Sequence, residues 1–264
     1  YEFNKEKRDE TMMKKLICAF VACAMLLCAA CAFAAPNPMV ESSYSEILTK
    51  LGLGILAPGA AQEAQWFIID GNLAQVGFSI YEIPYTLRAK TASAAEDISG
   101  MYFSSGDETK VDILWNEGSY RAEDGVGARV MWYDAQNGVA YSLSCEDAGV
   151  EKDTLVEYAA DAYRYCAKGA IVTLAGTQSA DEYIWAAINY DPSKLTISAP
   201  VYEAGEEGGQ YTFAVAGVQA DVTDTLTLVY YRTDAGLDSA IEMRNCTVTV
   251  DSEYNVTLTE DAVG

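Results

Sequence analysis

The sequence predicts two adjoining domains, an α+β domain followed by an all-β sandwich. Between Glu41 and Cys166, helix-like and strand-like patterns occur together, as expected of an antiparallel sheet with flanking helices. From Ala170 onward only short strand patterns remain, separated by turn residues. The expected divisions are upstream residues and an export signal over 1–34, the α+β domain over 35–168 and the sandwich over 169–264.

The composition indicates a folded, acidic protein. Half of the 264 residues are hydrophobic, so the chain is able to bury a real core. The 17 basic and 39 acidic residues give a net charge of −22, which repels the phosphates of nucleic acids. We therefore expect no nucleic-acid partner, whereas basic proteins and cationic substrates stay open.

The chain contains no histidine, which excludes a Ser-His-Asp triad, a Cys-His pair and histidine-bound zinc or iron. Glu123-Asp124-Gly125 and Glu146-Asp147 lack the spacing of a calcium loop. We expect no catalytic residue, no metal and no cofactor, and hence no enzyme. An enzyme that uses paired carboxylates remains an alternative, and it rests only on the number of acids.

Residues 13–34 have the pattern of a secretory signal peptide. Lys14 and Lys15 form its charged start, 16–27 its apolar middle, and Ala32-Phe33-Ala34 provides small residues before a cleavage site. The pattern predicts a secreted, extracellular protein. Residues 1–11 are polar, precede the signal and are left out of the fold prediction.

Two alternatives keep the chain at a membrane. The apolar run 16–35 is about as long as a spanning helix requires, so an uncleaved signal would be an anchor. Cys31 follows Ala29-Ala30 and is a candidate for lipid attachment, although Cys28 stands where bacterial lipoprotein signals usually have leucine. Membrane contact is expected only by these two routes.

Signal cleavage would leave the cysteines Cys145, Cys166 and Cys246. An odd number allows at most one internal disulfide. Cys145 and Cys166 are candidates for that bridge, and three buried free thiols are the alternative.

Turn and capping residues predict the elements of the first domain. Asp70-Gly71-Asn72 and the Asn137-Gly138 pair each separate two strand patterns, so we expect two hairpins. Tyr44–Leu51 follows the capping candidates Ser42 and Ser43 and predicts a short helix. Apolar residues at helical spacing from 153 to 166 predict a second helix, which packs on the sheet.

Several stretches of this domain resemble a family of small secreted or lipid-anchored proteins of Gram-positive gut bacteria, to which no activity is assigned. The stretches are Pro36 to Glu41, Tyr85-Thr86-Leu87-Arg88-Ala89-Lys90, Glu96-Asp97-Ile98-Ser99-Gly100-Met101-Tyr102, Trp132-Tyr133 and Tyr141-Ser142-Leu143-Ser144. The resemblance implies a source and an extracellular location but no chemistry.

The second domain contains six short strand patterns rich in β-branched and aromatic residues, and 254–259 adds a seventh. The six are 171–174, 184–188, 195–198, 211–215, 225–231 and 245–250. Strands of this number and length over about ninety residues are typical of a sandwich of the immunoglobulin kind.

Three stretches of this domain have the order and spacing of the binding loops of a known inhibitor family. They are Gln178-Ser179-Ala180-Asp181-Glu182-Tyr183-Ile184-Trp185, Gly205-Glu206-Glu207-Gly208-Gly209 and the strand end Leu228-Val229-Tyr230-Tyr231-Arg232. They resemble the chagasin-type inhibitors of papain-like cysteine proteases, in which loops at one end of an immunoglobulin-like sandwich block the protease cleft. The resemblance implies an exported protein that binds or inhibits such a protease.

The resemblance assigns candidate partner-binding residues. Tyr183 and Trp185 stand at the Tyr and Trp of the first loop, Gly205, Gly208 and Gly209 in the glycine-rich loop, and Arg232 at the Arg of the third. Ala180, Asp181 and Glu182 replace the Thr, Thr and Gly of the first loop, and Thr233-Asp234 replaces a Pro-Trp pair.

These replacements remove an aromatic anchor and add charge, so a non-inhibitory extracellular or cell-surface interaction protein is the alternative function. Most of the candidate residues also have a purely structural interpretation. Tyr183 and Trp185 alternate along a strand as core aromatics do, the glycines are typical of a loose turn, and Arg232 is typical of an exposed strand-end charge.

Overall fold

The structure is a computed structural model, and it describes residues 38–105, 107–180, 182–205 and 208–261. The expected signal peptide, its cleavage site and Cys31 lie outside the described residues. Within those ranges, no helix has the length and apolar character needed to cross a bilayer. The elements described below all belong to one compact unit, Met39–Gly264.

The first sheet consists of eight antiparallel strands. They are β1 Met39–Ser42, β2 Gln62–Ile69, β3 Leu73–Ile80, β4 Ile83–Thr91, β5 Thr109–Ile113, β6 Asn116–Glu123, β7 Gly127–Asp134 and β8 Val139–Cys145. Their order across the sheet is β1-β2-β3-β4-β8-β7-β6-β5. Both predicted hairpins are confirmed, because β2 pairs with β3 and β7 pairs with β8.

Two helices, α1 Tyr44–Leu51 and α2 Lys152–Ala167, confirm the predicted helical segments. The Ser43 hydroxyl accepts the Glu46 N–H and the Glu46 carboxylate accepts the Ser43 N–H, which together cap the start of α1. On α2, Tyr163 is buried against Trp132 and Tyr141 of the sheet, with ring centroids 6.0 and 5.5 Å away. The second helix therefore covers one face of the sheet, as predicted.

The α+β class predicted for residues 35–168 is wrong, because this part of the chain is mainly β. Only two α-helices, of 8 and 16 residues, accompany its eight strands in the described ranges. Strands β5 and β6 were not predicted from the sequence, because charged residues interrupt their alternation of apolar and polar residues. Lys110 and Glu117, which form an exposed ion pair between these two strands, are examples.

Residues 170–260 form two further antiparallel sheets in a sandwich-like arrangement. One sheet contains, in spatial order, β10 Tyr183–Ile188, β14 Val222–Arg232, β15 Glu242–Val250 and β16 Val256–Glu260. In the other, β13 Gly208–Gly217 has β9 Ala170–Gly176 on one edge, and β11 Leu195–Ile197 and β12 Val201–Gly205 on the other. A mainly β sandwich is thus confirmed for this part, with β12 as an additional strand.

The apolar core of the first sheet extends into the sandwich. Val201, Ala214 and Ala216, on β12 and β13, are buried in the same cluster as the residues of α2 and the first sheet. A separate cluster lies between the two sheets of the sandwich and includes Trp185 and Tyr230. Strand β13 therefore has buried side chains on both faces, one toward the first sheet and α2 and one toward the other sheet of the sandwich.

Candidate functional site

The strand register places the three predicted loops at one end of the sandwich. We name them loop A (177–182, between β9 and β10), loop B (the connection from Gly205, the end of β12, to Gly208, the start of β13) and loop C (233–241, between β14 and β15). Residue 181 of loop A and residues 206 and 207 of loop B lie outside the described residues. Gly176, before loop A, pairs with Gly209, after loop B. Tyr183, after loop A, pairs with Arg232, before loop C. Loop A therefore lies between the other two, and we call this region the three-loop end.

Backbone contacts connect loop A with both of its neighbours. The Thr233 N–H donates to the Glu182 carbonyl at 2.8 Å, and the Thr233 hydroxyl donates to the same carbonyl at 3.2 Å. On the other side, a Cβ atom at Gly208 would lie 2.3 Å from the Gly176 carbonyl oxygen. The described start of loop A therefore lies beside the end of loop B, and the described end of loop A lies beside the start of loop C.

Buried aromatic side chains support this surface from below. Trp185 is fully buried, stacks on Tyr230 at 5.1 Å and donates its indole N–H to the Ala175 carbonyl at 3.0 Å. The Tyr230 hydroxyl accepts the Gln178 N–H at 3.0 Å. These contacts hold loop A to both sheets, so Trp185 positions the loop from the core and has no surface to offer a partner.

Tyr211 adds a second link between the sheets. Its hydroxyl donates to the Tyr183 carbonyl at 2.6 Å, and burial raises the pKa of this hydroxyl to about 12. The group is therefore protonated at neutral pH and able to donate this hydrogen bond. Sequence analysis missed the supporting roles of Tyr211 and Tyr230, although their place among alternating strand residues marked them as core positions.

The candidate residues differ in their exposure. Glu182, Gly205, Gly208 and Arg232 are exposed, Ala180, Tyr183 and Gly209 are half-buried, Trp185 is buried, and Asp181 lies outside the described residues. The exposed part of the site is therefore made mainly of loop backbone, a carboxylate and a guanidinium group.

Arg232, the last residue of β14, forms an ion pair with Asp234 in loop C. Its Nε and Nη2 atoms donate to the two carboxylate oxygens of Asp234 at 2.6 and 2.9 Å. Hydrogen bonding between the two side chains raises the pKa of Arg232 and lowers that of Asp234. The positive charge that the resemblance assigns to partner binding is thus already neutralised by a neighbour.

Replacing Gly208 by alanine is expected to lower the free energy of unfolding by about 1–3 kcal/mol. Gly208 has a φ of +114°, and an added Cβ would meet the Gly176 carbonyl, so strain and a clash between loops A and B coincide. Gly77→Ala, in β3, is the control, because an added Cβ there would meet no atom within 4 Å and the residue does not have a positive φ. Urea unfolding followed by circular dichroism measures both, and equal stability of the two variants would contradict the close loop contact.

The described cysteines are free thiols and do not form the candidate Cys145–Cys166 bridge. Burial raises the pKa of Cys145 and Cys246, and raises that of Cys166 to about 12. All three are therefore protonated and weakly nucleophilic at neutral pH. The described ranges also contain no group of three or more Cys, Asp or Glu residues placed to hold a metal ion.

Comparison of the chain with protein-family models, with curated proteins and with solved structures found no match. The candidate site is therefore interpreted from its own geometry and chemistry. That geometry consists of three contacting loops, supported by buried aromatic residues, at one end of a sandwich-like fold.

Proposed function

We propose that the chain is an exported binding protein that presents the three-loop end to an extracellular protein, with papain-like cysteine proteases as the first candidate partners. The observation that carries the proposal is the register, which brings loops A, B and C to one end of the sandwich. Rigid strands that hold several loops at one end are a common platform for recognition, because the scaffold limits the entropy lost on binding. Export rests on the signal pattern of residues 13–34.

The proposal includes an immunoglobulin-like, chagasin-type sandwich. Its support is the agreement between the loop order of that family and the loops of this chain, together with the sandwich-like packing of the two sheets. Tyr183 and Trp185 occupy strand positions directly after loop A, and Arg232 lies across from Tyr183. We expect weak inhibition, because no aromatic side chain stands at the Pro-Trp position of loop C and Glu182 would lose water on binding.

A non-inhibitory extracellular or cell-surface interaction protein is the second candidate. The ion pair between Arg232 and Asp234 favours this second candidate, because the Arg232 guanidinium group already has a carboxylate partner in loop C. An exposed carboxylate at Glu182 also suits a partner with a basic surface. Both candidates use the same end of the sandwich, and they differ in whether the partner loses activity.

The full-length chain and its Glu182→Gly variant, titrated against papain-like proteases, test the first candidate. Glu182 stands at the glycine position of the related loop, so the variant removes a charge that must be desolvated in the complex. We expect wild-type inhibition in the micromolar range and at least about tenfold tighter inhibition by the variant, equivalent to about 1.4 kcal/mol. Steady-state turnover of a peptide substrate is the measurement.

Glu253→Gly is the matched control, because Glu253 is an exposed acid in the turn between β15 and β16, at the opposite end of the sandwich. This variant should inhibit as the wild type does. If neither the wild type nor Glu182→Gly slows any protease at micromolar concentration, the inhibitor function is excluded and the non-inhibitory candidate takes its place.

A further inference from the structure

The outward face of the β10-β14-β15 sheet is polar at one end and apolar at the other. Far from the three-loop end it carries threonines in cross-strand pairs, Thr223 with Thr249 and Thr225 with Thr247. Polar residues are expected on a sheet face that meets water. The threonines give this part of the outward face the polar character expected of a surface in water.

Toward the three-loop end the same face becomes apolar. Its members, which we name the apolar patch, are Ile184, Ala186, Val229, Tyr231, Ile241 and Met243. The register joins most of them in rows across the strands, Ile184 beside Tyr231, and Ala186 beside Val229 and Met243. Ala186, Val229 and Tyr231 alternate with the buried residues Trp185, Leu228 and Tyr230, so they point away from the sandwich core. Ile184 lies at the margin of the patch and also packs against that core.

The patch is contiguous, and its most exposed members are Ile241 and Met243. Val229 is only 1% exposed although it lies on the outward face, so the neighbouring side chains close over it. Ile241 and Met243 are 53% and 58% exposed, and Leu237 in adjacent loop C is 49% exposed. An exposed apolar cluster next to polar surface is typical of a protein interaction site.

The charges around the patch indicate which partner fits it. Glu182, the last residue of loop A, and Asp238, in loop C, lie beside the patch, and neither has an ion-pair partner among the described residues. The basic side chains nearest the patch, Arg232 and Arg244, are paired with Asp234 and Glu242. A second copy of this chain would bring like charges together and carries its own net charge of −22. In a partner that carries apolar side chains beside basic ones, the apolar side chains would pack on the patch and the basic side chains would pair with Glu182 and Asp238.

We infer that the apolar patch is a docking surface for a basic, apolar-bearing segment of the protein partner. A stable interface buries about 800 Å² on each side, more than six side chains supply, so the patch extends the three-loop end and does not replace it. The inference rests on the proposed function for the place where the partner binds. It adds that the partner is basic and that Ile241 and Met243 supply the apolar contact missing at Thr233-Asp234.

Fluorescence anisotropy with labelled twelve-residue peptides tests the inference on the full-length chain. The probes alternate Arg with Leu, Arg with Ser, or Glu with Leu. We expect the Arg-Leu peptide to bind at least about tenfold more tightly than the other two, because it alone matches both the apolar and the acidic features. The variant Ile241→Ser/Met243→Ser should lose at least about tenfold in affinity for it.

Leu48→Ser/Ile171→Ser is the matched control, because these side chains are 45% and 48% exposed and lie outside the patch. It should bind the Arg-Leu peptide as the wild type does. The inference is overturned if no peptide binds, if the Arg-Ser peptide binds as tightly as the Arg-Leu peptide, or if Ile241→Ser/Met243→Ser binds like the wild type.

Protease inhibition by the same variants separates this inference from the proposed function. Patch-dependent peptide binding without inhibition of any papain-like protease would reject the inhibitor function and leave the docking surface. If Ile241→Ser/Met243→Ser inhibits a protease as the wild type does, and no peptide binding depends on the patch, the docking surface is rejected and the inhibitor function is kept.

Discussion

Replacing Trp185 by alanine is expected to lower the free energy of unfolding by about 3–5 kcal/mol. The side chain is fully buried, stacks on Tyr230 at 5.1 Å and donates a hydrogen bond to the Ala175 carbonyl. Removing it leaves a cavity between the two sheets directly below loop A, so the loss combines apolar transfer with lost packing. Urea unfolding followed by far-ultraviolet circular dichroism is suitable, because it does not depend on tryptophan emission.

Tyr102→Ala is the control for this prediction, since Tyr102 is 91% exposed. It should change the free energy of unfolding by about 0.5 kcal/mol or less. The two aromatic residues thereby distinguish a core position from a surface position. If Trp185→Ala kept its stability and lost only partner binding, the assignment of Trp185 to the core would be refuted.

Replacing Ala214 by aspartate is expected to cost about 4 kcal/mol or more. Ala214 is fully buried on the side of β13 that joins the core of the first sheet and α2. A carboxyl group there has no partner and must either remain charged in an apolar site or take up a proton at neutral pH. Because the core is shared, we expect the sandwich and the first sheet to lose structure in one transition.

Ala175→Asp provides the comparison for Ala214→Asp, because Ala175 is exposed on β9 of the same sheet. Its free energy of unfolding should stay within about 0.5 kcal/mol of the wild type. Near-ultraviolet circular dichroism and hydrogen exchange of residues 62–145 show whether the first sheet is affected. A first sheet that kept its stability in Ala214→Asp would mean that the two parts fold independently.

The elements that could be predicted from the sequence have strong local signals. Asn137-Gly138 specifies a tight turn, and Ser43 with Glu46 specifies a helix start, and both are present. Strands β5 and β6 lack such signals, because their charged residues hide the alternation. Sheet membership depends on long-range pairing, so the mainly β class of the first part was not visible in local patterns.

The three loops could be located in the sequence, but the contacts that support them could not be predicted from it. Family resemblance placed loops A, B and C, whereas their common end depends on pairs such as Gly176 with Gly209, which are far apart in the chain. The burial of Trp185 follows from sheet packing, which sequence spacing does not specify. The apolar patch had a signal that was overlooked, because Ile241 and Met243 alternate with charged Glu242 and Arg244 near a strand start.

The three free thiols bear on how this protein reaches its folded state. Cys145 and Cys246 are buried and Cys166 is half-buried, and the Cys145 and Cys166 thiols contact backbone carbonyls. No covalent cross-link between them has to form, so assembly of the described part requires neither an oxidant nor a disulfide isomerase. The same fold is therefore accessible in a reducing and in an oxidising environment.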